Sequence, residues 1–124
     1  MTGNDKIRTV HRFNDGINGR DIDALAALMT DDHRFIDTAA ATIMGKASAL
    51  KAWEDFFAAF PDYRNVFDRV EFRGDAVVVA GHSKCSDRRL YGPALWQARV
   101  KDGKVAEWRV YEDTPENRRQ LRLG

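Results

Sequence analysis

The sequence is poor in residues that could build a covalent or metal-bound framework. It has one cysteine, Cys85, among 124 residues. A single cysteine excludes an internal disulfide and a cysteine-based zinc site. The three histidines, His11, His33 and His82, lack the spacing of metal ligands. We therefore expect neither a metal nor another cofactor.

An excess of one charge and long apolar runs are also missing. Twenty basic and 19 acidic residues give a formal net charge of +1, which provides no electrostatic attraction to nucleic acid or to a membrane. No apolar run could span a bilayer, and the N-terminus lacks a signal-peptide pattern. We expect one domain over residues 1–124, located in the cytoplasm, with no nucleic-acid or membrane partner.

The clearest feature that is present is a series of three strands, predicted over residues 76–85, 93–100 and 104–112. Asp102-Gly103 joins the last two, and this dipeptide favours a tight hairpin turn because both positions need positive φ. With a period of two, even-numbered residues place Trp96 and Trp108 on one apolar face, while the opposite face is largely charged. The same count places His82 on the apolar face.

The first half of the chain supplies helices to cover that face. Helical spacing predicts helices over residues 6–18, from Asp21 onward and over 46–60, the last with a wide aromatic stripe. Shorter strands are predicted over residues 33–37 and 63–73, the second with a bulge at Phe67. A terminal helix over 117–123 has Leu121 and Leu123 as possible anchors. These elements predict an α+β domain with N-terminal helices on the concave face of a curved antiparallel sheet, enclosing an apolar pocket.

Several segments together carry a family resemblance: residues 18–23 (Asn-Gly-Arg-Asp-Ile-Asp), 28–32, 45–47 and 103–113, with the tail 119–124. They resemble the SnoaL-like and ketosteroid-isomerase-like branch of the nuclear transport factor 2 superfamily, over nearly the whole chain. The resemblance implies a cone-shaped, cystatin-like roll, a pocket for a small hydrophobic molecule and a homodimer. It does not fix an activity, because isomerases, cyclases, epoxide hydrolases and non-catalytic proteins share this fold.

Residue by residue, the resemblance assigns one catalytic group and shows three departures. Asp37 matches the general-base aspartate of the ketosteroid isomerases. Phe13 stands where those enzymes have an oxyanion-hole tyrosine, and Trp96 where they have a protonated aspartate. Val110 stands where the cyclases and the epoxide hydrolases have an acid on the last strand.

Asp37 and His82 are the candidate catalytic residues. Asp37 shares its strand parity with Phe35, so it should point into the pocket and serve as a base; the other interpretation is a cap on the turn at Thr38. His82 either shuttles a proton or hydrogen-bonds a ligand oxygen, or it is a core histidine with a neighbouring partner.

Eight further residues are candidates for contact with the substrate. Most are aromatic or apolar side chains expected on the inner face, where pocket lining and plain core packing are both possible, and one is a carboxylate near the pocket mouth. They are Phe13, Phe35, Trp53, Phe57, Trp96, Trp108, Val110 and Glu112.

Three functions follow from these observations. In the first, Asp37 abstracts a proton next to the carbonyl of a cyclic or polyketide-like compound, with His82 or Trp96 stabilising the oxygen. In the second, the same pocket binds a small molecule without chemistry. In the third, the outer face, where Arg99 and Glu107 could pair across strands, is a dimer interface.

Overall fold

The structure, a computed structural model, describes residues 2–124. Its four α-helices are α1 (Gly3–Asn18), α2 (Ile22–Ala27), α3 (Lys46–Ala59) and α4 (Pro115–Gln120), with a short 3₁₀ turn at Arg88–Leu90. Its six strands are β1 (Met29–Ile36), β2 (Thr42–Met44), β3 (Arg64–Arg73), β4 (Ala76–Lys84), β5 (Gly92–Lys101) and β6 (Lys104–Glu112). No helix within residues 2–124 combines the length and apolar character needed to cross a bilayer.

The strands form one open sheet in the order β2-β1-β6-β5-β4-β3. The predicted α+β class with N-terminal helices is confirmed. One pair differs from the antiparallel expectation, because β1 runs parallel to β6. The chain passes through β2, α3 and three further strands between these two, which is ample connection for parallel pairing. No strand was predicted at β2, which pairs with β1 at the edge of the sheet.

The first helix begins with a reciprocal cap. The Thr2 hydroxyl accepts from the Asp5 backbone N–H at 3.2 Å, and the Asp5 carboxylate accepts from the Thr2 N–H at 3.3 Å. Two N–H groups that have no helical partner are thereby satisfied. From this start, helical spacing brings Val10, Phe13 and Ile17 onto one buried face. α1 packs that face across β3 to β6 and forms one layer of the core.

Two predicted features that fix the strand register, a tight turn and a bulge, are present in the structure. Asp102 and Gly103 both have positive φ, 52° and 78°, which confirms the tight turn between β5 and β6. The predicted bulge near Phe67 is also confirmed, since the β3–β4 register shifts between Phe67 and Arg69. Both irregularities lie in the antiparallel part of the sheet.

A second bulge, in β6, changes which residues face the helices. Arg99 pairs with Glu107, but its neighbour Val100 pairs with Val105, so Ala106 is the extra residue. Val105 and Trp108 therefore both reach the core beneath the helices, whereas strict alternation predicted Ala106 and Trp108. The predicted Arg99–Glu107 pair is confirmed, with nitrogen and oxygen 3.5 Å apart.

The prediction that even-numbered side chains of β4 face the helices is wrong. Val79 pairs with Trp96, so odd residues of β4 share a face with even residues of β5. Val77 and Val79 belong to the core under the helices, while Val78 and Ala80 lie on the outer face. The apolar run in β4 does not alternate, because both faces of this strand are buried.

The outer face is covered by the C-terminal segment rather than being uniformly charged. The predicted anchors Leu121 and Leu123 are 3% and 0% exposed, so anchoring by both is confirmed. They complete a second apolar cluster, which comprises Val78, Ala80, Leu95, Tyr111, Leu121 and Leu123. Arg69 and Arg73 on β3 donate to the backbone carbonyls of Leu123 and Arg122. The tail is thus held by apolar burial and by hydrogen bonds to its own sheet.

Gly81 provides a test of the β3–β4 packing. A Cβ at this position would collide with the backbone oxygen of Val66, and would lie 3.1 Å from the Phe67 Cα. Backbone atoms in a sheet cannot move aside cheaply, so we expect Gly81→Ala to lower the free energy of unfolding by about 1–3 kcal/mol. Denaturant unfolding followed by circular dichroism measures the change.

Gly16→Ala is the matched control for that substitution. Its Cβ would meet the flexible end of the Leu25 side chain at 3.0 Å, and alanine favours the helix by about 1 kcal/mol. We expect this variant to stay within about 1 kcal/mol of the wild type. Equal stability of the two variants would contradict the close backbone approach at Gly81.

Candidate functional site

An apolar cavity of about 340 Å³ lies between α3, the end of β1 and the inner face of the sheet. Its wall is aromatic and aliphatic apart from one carboxylate and two hydroxyl side chains. The lining residues are Phe35, Asp37, Thr38, Ile43, Ala49, Ala52, Trp53, Phe56, Tyr63, Leu90, Trp96, Trp108 and Val110. A mostly apolar pocket with a few polar groups is typical of a small-molecule site.

The strand register explains why these side chains meet. Phe35 on β1 lies level with Trp108 on β6. Ile36 lies level with Arg109, so Asp37, one residue further, is beside Val110, and Val110 pairs with Trp96 on β5. Since neighbouring strands are about 4.8 Å apart, the backbones of Asp37 and Trp96, two strands apart on one row of the sheet, are separated by about 10 Å.

Asp37 is half-buried, caps the turn and also lines the cavity. Its Oδ1 accepts hydrogen bonds from the backbone N–H groups of Ala39 and Ala41, both at 2.9 Å, which confirms the cap on the turn. Neither bond uses Oδ2. Because Asp37 also lines the cavity, the turn fixes one carboxylate oxygen and leaves the other available for a ligand.

Two tryptophans of the wall are fully buried and have unpaired donors. Trp96 and Trp108 are both 0% exposed, and the indole N–H of each is buried without a hydrogen-bond partner. Phe67 packs against both rings on the inner face, with centroids 5.2 and 6.2 Å away. A buried N–H without a partner costs about 1–3 kcal/mol of stability.

A buried polar chain leads away from the cavity at Tyr63. Its hydroxyl lies 3.2 Å from the Ser83 hydroxyl, which donates to the Asn65 side-chain oxygen at 2.9 Å. The Tyr63 hydroxyl therefore donates to Ser83. Burial raises the pKa of Tyr63, so the phenol is neutral at physiological pH. Asn18 completes this region by pairing with both backbone groups of Asn65.

Two predicted contact residues lie behind the wall instead of in it. Phe13 is fully buried and packs on Trp108, with ring centroids 4.7 Å apart. Phe57 packs on Trp53 at 5.4 Å. Both positions are corrected from pocket lining to core. Phe13 thus contacts Trp108, and Phe57 contacts Trp53, without lining the cavity.

His82 and Glu112 are placed away from the cavity altogether. His82 follows the outward parity of Val78 and Ala80, and its Nδ1 lies 3.2 Å from the Asp68 carboxylate in an open groove on the outer face. Its predicted place in the pocket is wrong, because Val79 pairs with Trp96 and odd-numbered residues of β4 therefore face the helices. Glu112 is exposed beyond the cavity wall.

Of the ten predicted site residues, six line the cavity: Asp37, Phe35, Trp53, Trp96, Trp108 and Val110. Three further lining residues were not predicted: Ile43 on β2, Tyr63 just before β3 and Leu90 in the 3₁₀ turn. The apolar residue between polar neighbours at Leu90 was the one available signal. Ile43 lies in a segment for which no strand was predicted, and Tyr63 is the first residue of the strand predicted over residues 63–73.

Comparison with known proteins agrees with this geometry. The family model described as SnoaL-like domain matches residues 10–108. The chain belongs to the SnoaL-like domain family. The match runs from α1 through Trp108 and so includes most of the cavity wall.

Solved structures with the same fold are also found. A LEH-like epoxide hydrolase of M. tuberculosis shares 20% identity at a TM-score of 0.77, over 90% of this chain and 84% of that one. A candidate SnoaL-like polyketide cyclase of Jannaschia sp. CCS1 shares 24% identity at 0.75, over 90% and 87%. A candidate ketosteroid isomerase of Kribbella flavida DSM 17836 shares 21% at 0.75, over 96% and 88%. Such identities show the fold alone. No curated protein sequence matches significantly.

His33 is a titratable group buried beside Phe13 in the core of this SnoaL-like domain. It is 0% exposed, and its ring packs 5.7 Å from that of Phe13. Its Nδ1 lies 2.7 Å from the Val105 carbonyl oxygen, which can only accept, so Nδ1 bears the proton. Nε2 is buried without a partner. Burial lowers the pKa of His33, and the imidazole is neutral in the folded state.

This burial predicts a loss of stability in mild acid. The unfolded chain binds a proton at His33 near pH 6.5, whereas the folded chain does so only at lower pH. The stability contribution of the neutral ring is complete above pH 6.5 and falls as pH drops toward the folded-state pKa, at most by about 1.4 kcal/mol per pH unit. Urea unfolding between pH 7.5 and 5 measures the decline.

His33→Asn is the matched variant, because the asparagine amide can still donate to the Val105 carbonyl but does not titrate. His11 and His82 are unchanged in it, so subtracting the two pH profiles isolates His33. We expect the wild type to lose stability relative to the variant as pH falls. Parallel profiles would contradict a depressed pKa at His33.

Proposed function

We propose that the cavity binds an apolar cyclic carbonyl or polyketide-like compound and that Asp37 abstracts a proton from the carbon next to the carbonyl. The single observation on which this rests is the position of Asp37. It is the one carboxylate among the lining residues that the structure describes, and only Oδ1 is used by the turn.

The chemistry requires a base, an apolar site and a place for the developing charge. The C–H bond electrons move into the enolate, and the proton is bound by the Asp37 carboxylate, which can return it to the same or another carbon. The surrounding aromatic side chains exclude water and strengthen electrostatic interactions with the reacting atoms. Of the two oxygen-stabilising groups predicted, Trp96 lines the cavity, and His82 does not.

Asp37→Asn tests the proposed base. The amide oxygen can still accept from Ala39 and Ala41, so the turn is retained while the basic oxygen is lost. With 2-tetralone, a bicyclic ketone with acidic α-protons, we expect deuterium uptake from D₂O to be catalysed by the wild type. We expect the variant to be slower by roughly 10²–10⁴-fold, the usual contribution of general-base catalysis. Proton NMR follows the exchange.

Asp68→Asn is the control, since Asp68 is an exposed carboxylate in the outer groove and should leave exchange unchanged. If the wild type bound 2-tetralone but exchanged its α-protons no faster than Asp37→Asn, the proposed proton abstraction would be refuted. Binding itself is measured separately by ligand-observed NMR.

A binding protein without chemistry is the second candidate. Val110, which replaces the last-strand acid of the related hydrolases and cyclases, lines the cavity, and Phe13, which replaces the oxyanion-hole tyrosine, is packed behind it. The absence of the acid and of the tyrosine at these two positions favours ligand binding without catalysis. Tight binding of bicyclic ketones, with no exchange or product above background, would support this second function.

A further inference from the structure

We infer that the cavity beside Asp37 binds an organic ammonium ion, a protonated tertiary amine or a quaternary ammonium, whose charge lies at the Asp37 carboxylate and whose apolar groups contact the aromatic wall. This ligand class goes beyond neutral carbonyl compounds. The inference shares with the proposed function only the use of the cavity as a ligand site, and it does not require proton abstraction by Asp37.

The first argument is the pairing of the acidic side chains. Asp37 is half-buried and forms no ion pair with any Lys, Arg or His of residues 2–124, and it differs in this from every other partly or fully buried acid there. The others all pair with arginine, and they are Asp5, Glu71, Asp87, Glu107 and Asp113. A carboxylate withdrawn from water without a counter-ion favours the binding of a cation.

The second argument concerns the kind of cation. The side chains that line the cavity include no Lys, Arg or His, so the wall has one acid and no base of its own. A metal ion takes several oxygen, nitrogen or sulfur ligands. The described chain holds no group of three His, Cys, Asp or Glu side chains that could provide them. The turn engages Oδ1 of Asp37, so the remaining Oδ2 suits a single charge on an otherwise apolar ligand.

The third argument is the arrangement of the aromatic wall. Trp53 is nearly perpendicular to Phe35, at 79°, and to Phe56, at 86°, with ring centroids 5.7 and 5.8 Å apart. Phe56 is in turn at 89° to Tyr63. All four rings line the cavity. Aromatic side chains attract cations, most strongly where both are removed from water, and clusters of such rings bind quaternary ammonium groups.

The test compares two probes of the same shape, phenyltrimethylammonium and tert-butylbenzene, in which carbon replaces the charged nitrogen. A purely apolar cavity would bind the hydrocarbon more tightly, because the cation must lose its water. With the carboxylate and the aromatic wall acting together, we expect the wild type to bind the cation about tenfold more tightly. Ligand-observed NMR supplies both dissociation constants.

Asp37→Asn removes the charge and keeps the turn, since the amide oxygen can still accept from the same backbone N–H groups. We expect it to weaken binding of the cation about tenfold and binding of the hydrocarbon less than about twofold. Retained hydrocarbon binding shows that the variant is folded. Glu112→Gln is the matched control, because it removes an equal charge from an exposed side chain outside the cavity. It should leave both affinities unchanged.

Phe35→Leu tests the contribution of the wall. Phe35 lies two residues before Asp37 on the same strand parity, and leucine keeps an apolar side chain there without an aromatic face. We expect the cation to bind about threefold more weakly and the hydrocarbon to change less than about twofold. Equal losses for the two probes would contradict the role of the ring.

The outcomes separate this inference from the proposed function. A preference for the cation that depends on Asp37 and not on Glu112 supports it, also if 2-tetralone exchange is not catalysed, in which case the proposed base alone fails. Tighter binding of tert-butylbenzene, or equal losses of both probes in Asp37→Asn, overturns it and leaves an apolar pocket. Absence of binding by both probes also overturns it, and binding of 2-tetralone then decides separately on the proposed function.

Discussion

The parallel pairing of β1 with β6 is the constraint on which the site depends. β1 contributes Phe35 to the wall and ends one residue before Asp37, and its register beside β6 fixes the level at which both meet Trp108 and Val110. A shift of one residue would turn Phe35 away from α3 and into the opposite face. The cavity exists because α3 covers this part of the sheet while α1 fills the other part with tight packing.

Burial on both faces is the second structural property of this sheet. The helices cover one face, and the C-terminal segment covers part of the other through Leu121 and Leu123. Strands covered on both sides tolerate little change of register, which holds the cavity row in place. The predicted homodimer stays a prediction, and any partner on the outer face would meet this tail as well as the sheet.

The site combines an apolar interior with polar groups at opposite positions. Asp37 is held by a turn at one end of a row, and the indoles of Trp96 and Trp108 lie further into the sheet. Leaving two N–H groups unpaired costs stability. The two proposed functions share this arrangement, and they differ in whether the Asp37 carboxylate abstracts a proton.

The sequence by itself determined the class of fold, the helices, the Asp102-Gly103 turn, the Phe67 bulge and most of the wall around Asp37. These follow from local chemistry: helical spacing, turn residues and alternation where one face is buried. The tertiary structure alone decided the direction of side chains in β4 and at the β6 bulge, and hence that His82 lies outside the cavity. The run from Ala76 to Ala80 is apolar at every position because both faces are covered, so its pattern holds no information about which residues face the helices. That choice is made by the register between strands, which the Val79–Trp96 pairing and the extra residue at Ala106 settle only when the chain is folded.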